Sequence, residues 1–312
     1  MNVKADLVLE GGGILGVGYI GALKAFEESG FKIERCAGTS AGSLIAALIM
    51  AGFNSGELIN ILKSTDFKKL SRKTELGKMY IVGKPLSIIF DKGIYDSEII
   101  ESYIGDLLKK KGIVKFKDLM FNGKSRLKII ASDITRRKML ILPDDLKQYG
   151  LDPMEFSIAK AVRMSCAIPL FFTPIKLMCN NEQCYIVDGG LLSNFPIWIF
   201  DGENTPGVNT FGLKIKDSLS FSAQGKTSII DYVKDIINAP LKVDQDNFIR
   251  SKDRVRTIII DYGKKISPVD FNKSEKLLMN LYDCGYECAA RYMHSMDYHK
   301  YLRAYESRAG NL

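Results

Sequence analysis

The chain has 312 residues, 46% hydrophobic and 26% charged, an ordinary globular composition that excludes a disordered or low-complexity protein. Lys and Arg total 44 against 36 Asp and Glu, and the net charge of +8 suits an anionic partner such as phospholipid headgroups or nucleic acid, although an ordinary basic surface accounts for it equally well. No run approaches the roughly 18 apolar residues that span a bilayer, and the N-terminus shows no Sec signal peptide, so the expected location is cytoplasmic or peripheral to a membrane.

Residues 5–9 predict a short buried strand, followed by a glycine-rich turn and a helix over roughly 22–28 that ends at Gly30. A second strand is expected over 31–37, then a tight turn from Gly38 to Gly42 and a very apolar helix from Ser43 to Gly52. This alternation predicts an α/β fold with a largely parallel sheet and helices on its faces. Further helices are expected over 55–64, 96–111, 155–165, 228–238 and 272–293, with strands over 127–132, 138–142, 184–187, 209–215 and 255–261. Residues 201–209 read as a loop. His294 and His299 continue into a charged, tyrosine-rich tail. Neither a repeat nor a linker is visible, so one domain over 1–312 is expected, with the motifs in about 5–200 and residues 201–312 completing or covering that core.

Six cysteines are present: Cys36, Cys166, Cys179, Cys184, Cys284 and Cys288. Their spacings match no standard zinc pattern, and reduced structural thiols are expected. Cys179 and Cys184 flank a polar turn and could pair in an oxidising compartment.

Three motifs carry chemistry. Glu10-Gly-Gly-Gly-Ile-Leu-Gly16 follows a strand and opens a helix. Glycine permits close approach of a ligand to backbone N–H groups, and a helix N-terminus favours negative charge. The spacing of Gly11, Gly13 and Gly16 satisfies a dinucleotide fingerprint, yet the second strand lacks the acidic residue at its end that such a site needs, since Glu34 lies inside it. An oxyanion hole formed by Gly11, Gly12 and Gly13 is the second reading, and a plain strand–helix turn is the third.

Gly38-Thr-Ser-Ala-Gly42 is a G-x-S-x-G elbow, in which a serine projects from a sharp turn between strand and helix. A helix-capping serine is the bland alternative. A serine nucleophile requires a base. The histidines come late and sit poorly for an α/β-hydrolase, although the order Ser…Asp…His is kept. A carboxylate can replace histidine if it hydrogen-bonds the serine in a partly desolvated site. Asp188, at the end of a strand and before Gly189 and Gly190, is the candidate, against an ordinary Asp-Gly turn.

Taken in order, Gly11–Gly16, Gly38–Gly42, Ala161–Phe172 and Asp188–Gly190 resemble the patatin-like phospholipases over roughly residues 5–200. The resemblance implies a three-layer α/β/α fold and a Ser–Asp dyad, with Ser40 as nucleophile and Asp188 as base. It also implies an oxyanion hole at Gly11–Gly13, no metal cofactor, and hydrolysis of fatty acyl esters in phospholipids or related lipids through an acyl-enzyme. The family commonly carries Arg or Lys where this chain has Leu15, which bears on substrate preference. The expected partners are an acyl-lipid substrate, a membrane surface met peripherally and an activating protein of unknown identity, with no nucleic acid. The basic-apolar stretch 63–95 is expected to face the membrane or cover the acyl pocket. The alternatives are a non-catalytic lipid-binding protein of the same fold, a Ser-His-Asp esterase and a dinucleotide oxidoreductase.

Overall fold

The computed structural model describes residues 3–65, 91–202, 208–216, 251–263, 266 and 274–309. Residues 66–90, most of the basic-apolar stretch, and the helix expected over 228–238 lie outside the described residues. The chain divides into two compact units, the first built from 1–65, 195–221 and 244–312 and the second from 66–194 and 222–243.

The first unit opens with β1 (Val3–Leu9), α1 (Val17–Glu28), β2 (Phe31–Thr39), α2 (Ala41–Met50) and α3 (Ser55–Ser64). The second contributes β3 (Gly93–Tyr95), α4 (Glu98–Lys110), β4 (Met120–Phe121), β5 (Lys124–Ser125), β6 (Leu127–Asp133), β7 (Lys138–Leu142), α5 (Ile158–Cys166), β8 (Leu170–Phe172), β9 (Ile175–Cys179) and β10 (Glu182–Asp188). The chain then returns to the first with β11 (Val208–Ile215), β12 (Thr257–Ile260), α6 (Glu275–Met293) and α7 (Met296–Ala309).

In the first unit β12, β11, β1 and β2 lie in that order, every pair parallel. Ala5–Leu9 and Val208–Ile215 are buried throughout, as parallel strands covered on both faces are, and their polar residues Asp6, Asn209, Thr210 and Lys214 are buried with them. The parallel sheet expected from the first fifty residues is therefore present. α1 starts five residues before the expected onset, because Gly18 and Gly21 are helical residues rather than turn residues. A Cβ on Gly285 would strike the carbonyl of Gly18, and one on Gly21 would strike that of Tyr282, so α1 and α6 touch backbone to backbone. The tail after residue 294 is helical, α7, and lays Tyr298 and Tyr301 on Phe211 of β11, with ring centroids 6.2 and 5.4 Å apart.

In the second unit β7, β6, β10 and β9 form consecutive antiparallel pairs. Short turns join β6 to β7 and β9 to β10, and such connections permit only antiparallel pairing. The polar turn between Cys179 and Cys184 has Asn180 and Asn181 at positive φ, the pattern of a tight hairpin. Both thiols are free and buried, and Cys184 stands opposite Leu177. Ile129, Ile130, Ala131 and Ile186 centre this sheet, with no solvent exposure.

Candidate active site

Leu9 of β1 stands opposite Gly38 of β2, so the turns following these parallel strands leave the sheet side by side at its C-terminal edge. Ligands of open α/β sheets bind at that edge. The first turn is anchored by Glu10, which is buried. Its carboxylate accepts the Ile215 N–H at 2.8 Å and the Lys214 ammonium at 3.3 Å, and its carbonyl accepts the Tyr19 hydroxyl at 2.9 Å. Burial, helped by the charge of Glu10, pushes the Tyr19 phenol far above its ordinary pKa, which keeps it a donor.

Beyond Glu10 the backbone turns through Gly11, Gly12 and Gly13, all half-buried. Gly13 takes φ +54° and opens a single 3-10 turn to Gly16. Leu15 donates its N–H to Gly12 O at 3.1 Å, and its own carbonyl accepts the Tyr262 hydroxyl. The turn is thus held by its backbone and by Tyr19 and Tyr262, and the Leu15 side chain takes no part in these bonds.

Ser40 occupies the second turn at φ 51°, ψ −126°, a conformation costing a non-glycine residue about 1–3 kcal/mol. It precedes α2 without making the side-chain hydrogen bond of a helix cap, so the capping alternative does not describe it. Its carbonyl accepts the Ser43 N–H at 2.9 Å and the Ser43 hydroxyl at 2.7 Å. Ser43 was not singled out in the sequence, although a second serine three residues after the first was a usable signal. The flanking glycines are sterically required: a Cβ on Gly38 would overlap Gly42, and one on Gly42 would stand 2.5 Å from Leu9 O and 2.6 Å from Glu10 O. The elbow therefore closes against the end of β1, directly before the glycine turn.

Asp188 belongs to the second unit. It ends β10, is buried, and donates its N–H to Ala167 O at 2.9 Å, while its Oδ1 accepts the Gly190 N–H at 2.7 Å. Gly189 is packed so closely on Ile130 that a Cβ would strike the carbonyl of Ile130. That same carbonyl accepts the Ser165 hydroxyl at 2.5 Å. The segment from Ala161 to Phe172 thus backs Asp188 through Ser165 and Ala167.

The histidines stand elsewhere in the first unit. His294 follows α6, whose Met293 Sδ accepts the Ser29 hydroxyl at 3.0 Å just after α1 ends. α1 has 12 residues and rises about 18 Å, and the glycine turn precedes its other end. His299 is exposed on α7 beside Tyr298, which stacks on Phe211. Neither reaches the edge that carries Ser40. Glu34, the sole acid of β2, pairs with Lys4 at 3.4 Å near the start of β1, at the far end from the glycine turn, which argues against a dinucleotide site.

Among the described residues no three His, Cys, Asp or Glu side chains group as metal ligands would. No helix among the described residues is long and apolar enough to cross a membrane.

The family model "Patatin-like phospholipase" matches residues 7–201. The chain therefore belongs to the patatin-like phospholipase family and has its fold. Uncharacterized protein YqhO of Bacillus subtilis is 46% identical over 198 residues, 64% of this chain and 67% of that protein. "Probable lipid hydrolase 463L" of Invertebrate iridescent virus 6 is 31% identical over 195 residues, 61% of each. VipD of Legionella pneumophila superposes with a TM-score of 0.55 at 14% identity, over 93% of this chain but 66% of VipD, a likeness of fold alone.

Proposed function

We propose that the protein is a lipid acyl hydrolase that cleaves fatty acyl esters of glycerophospholipids or related lipids. The observation that carries this reading is the elbow: Ser40 is held at positive φ, does not cap α2, and is pressed by Gly42 against the start of the glycine turn. Family membership and the resemblance to a named lipid hydrolase support the same class of substrate.

Ser40 Oγ attacks the ester carbonyl carbon while the Asp188 carboxylate takes the hydroxyl proton. The tetrahedral oxyanion forms over the backbone of Gly11–Gly13, where one well-placed donor is worth about 2.7–4 kcal/mol. Collapse breaks the ester C–O bond, and the Asp188 carboxyl returns its proton to the leaving lysolipid alkoxide. Asp188 then takes a proton from water, the hydroxide attacks the acyl carbonyl, and the bond to Ser40 Oγ breaks as Asp188 returns that proton to Oγ, releasing the fatty acid. No metal enters these steps. A membrane is the natural source of the substrate, and an activating protein remains part of the proposal.

Wild type, Ser40→Ala and Asp188→Ala are incubated with a fluorophosphonate probe and a short-chain p-nitrophenyl ester. Labelling lost in Ser40→Ala, with turnover lost in both variants, is the expected result. A folded wild type that is silent with and without host-cell extract would exclude the hydrolase and leave a lipid-binding protein of the same fold.

A further inference from the structure

In the second unit, α4 ends at Lys110 and the chain continues through Lys111 to Phe116 and then into a two-stranded hairpin, β4–β5. The hairpin turns at Asn122 and Gly123, both at positive φ, so its tip is a tight and locally specified structure. Its base is fixed: Phe116 and Leu119 are buried, and Arg126 donates its N–H to Leu119 O at 3.1 Å. The tip, however, presents Phe121 to solvent at 63% exposure. The segment leading to it is tied to residues 154–158, where Lys117 N–H meets Met154 O at 3.0 Å and Ile158 N–H meets Val114 O at 3.0 Å. Met154 and Val114 are themselves exposed apolar side chains.

The charge around these apolar groups is mixed, with lysines outnumbering Asp118, Asp152 and Glu155. Lys109, Lys110, Lys111, Lys115, Lys117 and Lys124 fall within one short stretch, in which Asp118 is the single acid. Asp118 is exposed, and its carboxylate is held by the N–H groups of Val114 and Lys115, which it accepts at 2.8 Å each. Glu155 reaches both Lys115 and Lys117, at 2.7 and 2.8 Å, and Asp118 and Asp152 also act on Lys117, so the lysine excess of the stretch lies at Lys109–Lys111 and Lys124.

An exposed aromatic at a tight tip, opposite Lys124 and within a lysine-rich stretch whose stems can lie along apolar surface, has the chemistry of an anionic bilayer interface. Lysines meet the headgroups and the ring enters the acyl boundary. A nucleic acid would satisfy the lysines but would give no reason for Val114 and Met154 to be apolar. We infer that the β4–β5 hairpin, with Phe121 at its tip, docks the protein on anionic lipid surfaces. The choice of a lipid partner rests on the proposed hydrolase reading, whereas the docking itself requires no catalysis.

The test is partition of the full chain onto equimolar phosphatidylcholine–phosphatidylglycerol vesicles, compared with phosphatidylcholine alone. Wild type is expected to prefer the anionic vesicles. Phe121→Asp should lower partition by about tenfold or more, the loss expected for keeping a phenyl ring in water, and Lys110→Glu with Lys124→Glu should weaken it independently. Short-chain ester turnover should be unchanged in Phe121→Asp, which shows that the fold is intact. The single tryptophan, Trp198, allows a reporter: with Trp198→Phe and Phe121→Trp, emission should shift to the blue on binding. Ser40→Ala should partition as wild type does, so an inactive protein that still binds vesicles through Phe121 supports the docking while removing the hydrolase. Wild type that ignores anionic vesicles, Phe121→Asp that binds undiminished, a water-like emission in the bound state, or binding of short RNA without vesicle partition would each overturn the inference.

Discussion

Gly42 and Leu9 meet so closely that the α-carbon hydrogen of one faces the carbonyl of the other, with room for nothing larger. Through this contact the serine elbow takes its position from the strand that precedes the glycine turn. Gly42→Ala would place a methyl 2.5 Å from Leu9 O and 2.6 Å from Glu10 O, against backbone that cannot swing aside. Such overpacking costs about 1–3 kcal/mol. A lowered denaturation midpoint is expected, with ester turnover falling further than stability does.

Ser43→Ala removes one of the two hydrogen bonds that Ser43 makes to the Ser40 carbonyl and leaves the other, from its N–H. A neutral hydrogen bond contributes about 0.5–1.5 kcal/mol. The expected outcome is a small stability loss by chemical denaturation and a drop in kcat with little change in KM, since the serine backbone rather than a binding contact is loosened.

His294→Ala and His299→Ala should each retain ester turnover within about twofold. Positions at the far end of α1 and on α7 give neither ring access to the serine edge. A serine hydrolase that loses its histidine base falls by about 10³–10⁶, so steady-state kinetics on the two variants decide between a carboxylate and an imidazole base.

Tyr262→Phe deletes the hydroxyl that donates to Leu15 O, from a ring whose burial holds the phenol well above its usual pKa. Leu15 O keeps the backbone N–H that it also accepts, so losing the hydroxyl bond should cost about 0.5–1.5 kcal/mol. Because Leu15 lies in the glycine turn, reduced turnover should accompany the loss, and circular dichroism melts with parallel assays would measure both.

Burial, followed by the neighbouring Cys288, pushes the Cys284 thiol from 9.0 up to about 12. A raised pKa means the folded protein keeps the proton that the unfolded chain releases first. The resulting contribution to stability is whole below about pH 9 and fades as the pH rises towards 12. Maleimide labelling of Cys284 at pH 8, followed by peptide mapping, should be at least about a hundredfold slower in the native protein than in denaturant. Cys288→Ser should bring the native rate closer to the denatured one.

Much of the first unit was legible because glycine and apolar residues there answer to local rules. The strand, turn and helix around Ser40 follow from Gly38 and Gly42 flanking a serine between two apolar runs. Gly18 and Gly21 misled for the opposite reason: they are glycine because Tyr262 and α6, far later in the chain, press on them, and no local pattern records that. α7 was hidden because its buried face is made of tyrosines, Tyr298 and Tyr301, which read as polar tail until Phe211 is placed beneath them. β9 carried a usable signal, an alternation of buried Ile175, Leu177 and Cys179 with exposed Lys176 and Met178, obscured by the proline and cysteines around it. The residues that back Asp188, Ser165 and Ala167, were visible as a familiar stretch, but the bond from Ser165 to the Ile130 carbonyl and the one Ala167 accepts from the Asp188 N–H depend on long-range pairing.

The insertion of β11 beside β1 also sets an order of events during synthesis. Glu10, which frames the glycine turn, donates its N–H to Leu213 O and accepts hydrogen bonds from Lys214 and Ile215, some 200 residues downstream. Contacts so distant in sequence close late, because the loop entropy must be overcome before they form. A ribosome that has produced the serine elbow has not yet produced the strand that fixes the neighbouring turn. The nascent N-terminal half therefore carries Ser40 without a finished frame, and the neighbouring turn is fixed only after most of these residues have emerged.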